Sequence, residues 1–97
     1  MSFHLVATYR ANPGGEEDLA AHLESMIAPT RAEAGCEGYL VLRSKDESGT
    51  FVLVESYQTE GDFEAHKASP HFEAHIVKGA WELLESRSVV FAEELGG

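Results

Sequence analysis

The chain has 97 residues, enough for one domain that buries only somewhat over ~60% of the surface its unfolded form exposes, so a partner subunit would add useful apolar burial. Its net charge is −10, and the seven Lys and Arg residues are scattered from Arg10 to Arg87, which leaves no basic stripe for nucleic acid and disfavours anionic membranes. With no apolar run near ~18 residues and no charged leader, the sequence reads as cytoplasmic, and its single Cys36 can form neither an internal disulfide nor a thiolate metal site.

Residues Phe3 to Arg10 alternate as a first strand, with Phe3, Leu5, Ala7 and Tyr9 on one face and His4, Val6, Thr8 and Arg10 on the other. The turn Asn12-Pro13-Gly14-Gly15 follows, and the acids Glu16, Glu17 and Asp18 suit the positive end of a helix. Leu19, Leu23, Met26 and Ile27 form the apolar stripe of that helix, with His22 at its edge in a packing role. Pro29 lacks the N–H for the i−4 bond, so the helix is expected to kink or restart there. Thr30 to Ala34 then adds one more turn, stopped by Gly35 in a left-handed cap. Glu33, an acid at the negative helix end, is expected to pair with Arg31 or Arg43 as a structural ion pair, with a role in the site as the second reading.

Tyr39 to Ser44 reads as the second strand, and Lys45 to Gly49 as a polar hairpin loop returning to a third strand at Thr50. That strand puts Phe51, Leu53, Glu55 and Tyr57 on one face and Val52, Val54 and Ser56 on the other. After the break from Thr59 to Gly61, Phe63, His66 and Pro70 fall at helical spacing, so His66 turns inward with Phe63 toward Glu55. Ser69-Pro70 marks a second break with proline at a helix start. From there Phe72, Ile76, Ala80, Leu83 and Leu84 carry an apolar face to the helix end. Ser88 to Glu94 reads as the last strand, before a short tail ending in Gly96-Gly97.

The order βαββαβ defines an α+β, ferredoxin-like fold over residues 1–97, a single domain with an antiparallel sheet of order 4-1-3-2 and both helices on one face. Helices cover one face only, yet the strands are apolar on both. The other face therefore calls for the same sheet of a second copy, a face-to-face homodimer.

An acid in mid-strand followed by a histidine on the next helix is where chemistry is expected. Composition alone favours the plainer assignment, Glu55 as a solvated strand end and His66 as a satisfied core histidine. His71 and His75, four apart, could chelate a metal from one helical face, but no third ligand is evident, so no metal is expected and solvated or substrate-facing histidines are preferred.

The runs APTRAEAGCEGYLVLRS and FVLVESYQTEGDFEAHKASPHF resemble the antibiotic biosynthesis monooxygenase domain family, small dimeric α/β-barrel proteins that include quinol monooxygenases. The shared pieces are Pro29, Thr30, Glu33, Gly35-Cys36, Tyr39, Glu55-x-Tyr57, His66, Ser69 and His71. The resemblance implies oxygenation without a cofactor, in which a small quinol, phenol or anthrone-like substrate loses a proton and its anion reduces dioxygen. His66 would be the base, its unperturbed pKa lying near ~6.5, and Glu55 would orient or stabilise the imidazole. Tyr57 and Tyr39 would donate to the substrate oxygen, and Phe63 and Phe72 would form walls. Haem-degrading members of the fold carry an asparagine where Ala7 stands and a tryptophan where His66 stands, so haem is not expected. Two other functions fit the residues: an isomerase of a small hydroxyketone, and a non-catalytic dimer binding a small apolar ligand.

Overall fold

A computed structural model describes residues 2–96, and the period-two pattern of the sequence is realised strand by strand. Met1 and Gly97, the end of the expected tail, lie outside the described residues. Strand β1 spans Phe3–Ala11 and buries Leu5, Ala7 and Tyr9; β3, Thr50–Tyr57, buries every second residue from Phe51 to Tyr57. With β2 (Cys36–Arg43) and β4 (Leu84–Ala92) they form one antiparallel sheet in the order β2-β3-β1-β4, as the crossover rule required. Leu19, Leu23 and Met26 of helix α1 (Glu16–Arg31) pack with Ala7, Tyr9, Tyr39, Phe51 and Leu53 of the inner sheet face. The fold is the ferredoxin-like βαββαβ arrangement.

Helix α1 differs from expectation at its end: it continues through Pro29 to Arg31 instead of restarting, and the extra turn to Ala34 does not form. Proline removes one N–H near the end of the helix, and tertiary bonds hold the residues beyond it. The Arg31 guanidinium donates twice to the Tyr39 carbonyl, at 2.8 and 3.1 Å. Gly35 is not in a left-handed cap, since among the described residues only Gly14 and Gly96 have positive φ. Its role is close approach: a Cβ there would lie 2.2 Å from Asp62 Cγ.

Helix α2 (Glu60–Lys67) starts with a capping box in which Thr59 accepts from Asp62 N while Asp62 accepts from Thr59 N. Ser69 caps the next turn, α3 (Pro70–Phe72), with proline at the helix start as expected. The long helix projected from there does not form. The chain passes through a π turn, Glu73–Val77, and a 3₁₀ turn, Ala80–Leu83. Between them Gly79 lies so close to His22 Nδ1 and the His75 carbonyl that an added Cβ would sit 2.6–2.7 Å from them. Strand β4 consequently starts at Leu84, not Ser88, and ends at Ala92, because pairing with β1 extends back to Ala11. Strand β2 likewise starts at Cys36, ahead of Tyr39, with a register shift between Cys36 and Gly38.

The outer sheet face is apolar across its width. Leu40 pairs with Val54, Val54 with Val6 and Val6 with Val90, one row through all four strands. Leu40 and Val90 at the two ends of the row are 50% and 62% exposed.

Candidate active site

Strand alternation turns Glu55 inward between Leu5 of β1 and Tyr39 of β2, leaving it 5% exposed. Burial of its carboxyl opposes ionisation, and the neighbouring Glu33 charge adds to this. The hydrogen bond from Tyr57 works the other way, and the net effect pushes Glu55 up to about 7. That bond is the 2.7 Å contact in which the Tyr57 hydroxyl donates to Oε1. Burial pushes the phenols of Tyr57 and Tyr39 well above the ordinary tyrosine range, so both remain protonated donors.

Helix α2 carries His66 onto the same space, because Phe63 one turn earlier anchors that face of the helix against Tyr57 and Phe3. The His66 ring is 2% exposed and packs among Tyr39, Tyr57, Phe63 and Phe72 with centroids 5.2–6.2 Å away. Its Nε2 lies 3.8 Å from Glu55 Oε1, too far for a hydrogen bond. Its Nδ1 lies 2.9 Å from Glu33 Oε2. Burial lowers the histidine pKa, and the Glu33 hydrogen bond and charge partly offset that.

The carboxylate at hydrogen-bond distance from His66 is Glu33, while Glu55, expected to orient or stabilise the imidazole, lies 3.8 Å from it. The expected ion pair of Glu33 is corrected. Glu33 pairs with neither Arg31, which holds the Tyr39 carbonyl, nor Arg43, which binds Glu17 at 2.7 Å. The other partner of Glu33 is His71, whose Nε2 lies 2.6 Å from the same oxygen. His71 and His75 do not face a common site: the Nδ1 of His75 lies 3.2 Å from the Nδ1 of His22. The neighbours absent from the sequence reading of His71 are Glu33 and His66, and the ligand atoms of these three lie within 4.8 Å of one another. One ion could span that distance, and the same atoms also meet one another as hydrogen-bond partners, at 2.9 Å for His66 and 2.6 Å for His71.

Beside Glu55 lies an apolar cavity of about 160 Å³, lined by Leu5, Ala7, Tyr9, Glu55, Phe63, Lys67, Phe72, Trp81, Val89 and Phe91. Of the residues singled out in the sequence, Glu55, Phe63 and Phe72 line it. Tyr57 and His66 adjoin Glu55 without lining the cavity, Tyr39 belongs to the core, and His71 adjoins Glu33 and the His66 ring. Tyr9, Lys67 and Trp81 also line the cavity, and sequence reasoning misses them as site residues. Trp81 donates to the Tyr9 hydroxyl at 3.2 Å and lies beyond the helix break, where periodicity gives no guide to facing.

Residues 2–78 match the family model described as antibiotic biosynthesis monooxygenase. The chain belongs to this family. The antibiotic biosynthesis monooxygenase fold is matched closely by PA3566 from Pseudomonas aeruginosa, at TM-score 0.92 and 30% identity over 98% of this chain and 95% of that one. The structure of Rv0793 from Mycobacterium tuberculosis aligns at TM-score 0.90 and 32% identity over 100% of this chain and 98% of that one. In sequence, Rv0793, named "Putative monooxygenase", is 38% identical over 68 residues, which is 70% of this chain and 66% of that protein's length. YcnE of Bacillus subtilis, named likewise, is 30% identical over 94% of this chain and 95% of its own. Membership of the antibiotic biosynthesis monooxygenase family supports a monooxygenase-like function. Among the described residues no helix is long and apolar enough to cross a membrane.

Proposed function

We propose that the protein is a cofactor-independent monooxygenase of a small aromatic quinol or phenol, working as a homodimer. The observation that carries this reading is Glu55: one carboxyl with a pKa near neutrality, set in the wall of an otherwise largely apolar cavity. An apolar cavity of ~150 Å³ accommodates a benzene ring, so the space of about 160 Å³ suits a single aromatic ring.

The role of base passes from His66, the residue expected from sequence, to Glu55, because Glu55 lines the cavity and His66 does not. Its carboxylate accepts the hydroxyl proton of the substrate, and the resulting electron-rich anion reduces dioxygen. One oxygen atom is retained on the ring, which ends at the quinone level having supplied all four electrons, and the other leaves as water, which takes the proton held by Glu55 and the one lost from the oxygenated ring carbon. The apolar wall keeps bulk water from the anion, and His66 beside Glu55 is the group to which the protonated acid can donate. The apolar row Leu40, Val54, Val6 and Val90 supports pairing of two sheets face to face.

Oxygen uptake by wild type and Glu55→Gln on a panel of single-ring hydroquinones and phenols tests the proposal. Substrate-dependent uptake that falls by roughly 10²-fold or more in the variant is expected. Hydroxyketone isomerisation without oxygen consumption, or ligand binding without turnover, would overturn it in favour of an isomerase or a binding protein.

A further inference from the structure

Glu33 Oε2 faces two imidazole nitrogens at once, His66 Nδ1 at 2.9 Å and His71 Nε2 at 2.6 Å. A carboxylate oxygen accepts and does not donate, so each nitrogen must carry the hydrogen it gives to Glu33. For a neutral His66 this leaves Nε2 without a hydrogen. That atom is the one turned toward Glu55 Oε1, 3.8 Å away.

We infer that Glu33 is the positioning residue of this site: it holds His66 as the Nδ1–H tautomer, so that a bare Nε2 faces Glu55 and can accept its O–H, and His71 holds Glu33 in place. The inference rests on the reading of Glu55 as base. Once Glu55 has accepted the substrate proton, its new O–H donates to Nε2, which steadies the protonated acid while the proton stays on Glu55. Glu55 gives up the same proton when oxygen leaves as water, so the residues end as they began. A separation of 3.8 Å in the free protein is one that a bound ligand can tighten. The opposite tautomer would point an N–H at Glu55 and leave Nδ1 and the Glu33 oxygen facing each other with no hydrogen between them, a repulsive contact.

The Glu33 side chain leaves the α1–β2 connection, and its position is set on three sides. The turn that carries it is pinned by Glu33 N donating to Thr30 O at 3.0 Å and Cys36 N donating to Glu33 O at 3.1 Å. His71 supplies the third restraint from α3.

Imidazole ¹H–¹⁵N correlation spectra of ¹⁵N-labelled protein, recorded where His66 is neutral, test this directly. Wild type is expected to show His66 predominantly as Nδ1–H. Glu33→Ala is expected to shift it toward Nε2–H, and Glu33→Gln, whose amide oxygen still accepts, to keep it as Nδ1–H. On an active quinol, kcat is expected to fall roughly 10–10²-fold in Glu33→Ala and to recover in part in Glu33→Gln, with KM little changed. An Nε2–H His66 in wild type, or one whose tautomer is unchanged in Glu33→Ala, overturns the inference. Should Glu33→Ala not fold, the wild-type and Glu33→Gln spectra decide. Failure to oxidise any quinol would count against the oxygenase reading, while the tautomer measurement would still judge Glu33.

Discussion

The Tyr57 hydroxyl donates a 2.7 Å hydrogen bond to Glu55 Oε1 from two residues along the same strand. Adjacent inward positions on β3 thus place a phenol beside the one acid of the cavity, and this bond is the influence that holds the carboxyl down against burial. Tyr57→Phe removes it without changing the shape of the ring. The Glu55 pKa is then expected to rise above about 7, by roughly one unit, and the acid limb of the pH–rate profile to move up with it. A ¹³C titration of the Glu55 carboxyl checks this without substrate, and an unchanged or lower value would contradict it.

Glu55 also makes stability depend on pH, with a defined sign. Its folded-state pKa of about 7 exceeds the ordinary glutamate value of 4.5, so between these values the folded protein holds a proton that the unfolded chain has released. Stability from this residue therefore declines as pH rises from about 4.5 to about 7. Glu55→Gln escapes the penalty and is expected to be more stable than wild type above pH 7, by up to about 3 kcal/mol, with the difference vanishing near pH 4. Urea denaturation of both proteins across this range tests it. A gain that did not shrink toward low pH would point to packing instead of ionisation.

Gly35→Ala is expected to destabilise by about 2–3 kcal/mol, because the new methyl group would lie 2.2 Å from Asp62 Cγ. Asp62 cannot swing aside freely, since it accepts from Thr59 N and Thr59 Oγ1 in the cap of α2. The check is a double-mutant cycle. In an Asp62→Ala background, the same change at Gly35 is expected to cost less than half as much, and full additivity would show that the clash is not with Asp62.

The row Leu40, Val54, Val6 and Val90 predicts the oligomeric state. Two such faces in contact are expected to bury ~2,000 Å² or more in total, as obligate homodimers do. Sedimentation at micromolar concentration should give a dimer, and Leu40→Glu combined with Val90→Lys should give monomer or aggregate. A wild-type monomer would leave the outer face of the sheet without its proposed cover.

Element order and sheet topology are legible in the residues because alternation and helical spacing are local patterns: which face of β3 turns inward follows from counting by two from Phe51 to Tyr57. The second half of the chain is less legible. Apolar residues from Phe72 to Leu84 fit one long helix by spacing, yet contacts of Gly79 with His22 and His75, and pairing of Leu84 with Ala11, divide it into turns and a strand. Those contacts join residues distant in sequence, and no local pattern records them.

Periodicity alone establishes a ferredoxin-like sheet with two apolar faces, and it makes neighbours of Glu55 and His66, since strand and helix spacing both turn them inward. What each of them touches is settled by packing. Glu33 stands 33 residues before His66 and 38 before His71, and its place in the chain suggests a nearby arginine as its partner. Its carboxylate turns to the two histidines because Gly35 lets the connection pass close to Asp62 at the start of α2, while Arg31 is held by the Tyr39 carbonyl. Periodicity fixes the direction of a side chain relative to its own strand or helix. The meeting of charges from three elements depends on how those elements pack, and on the close approaches that packing allows.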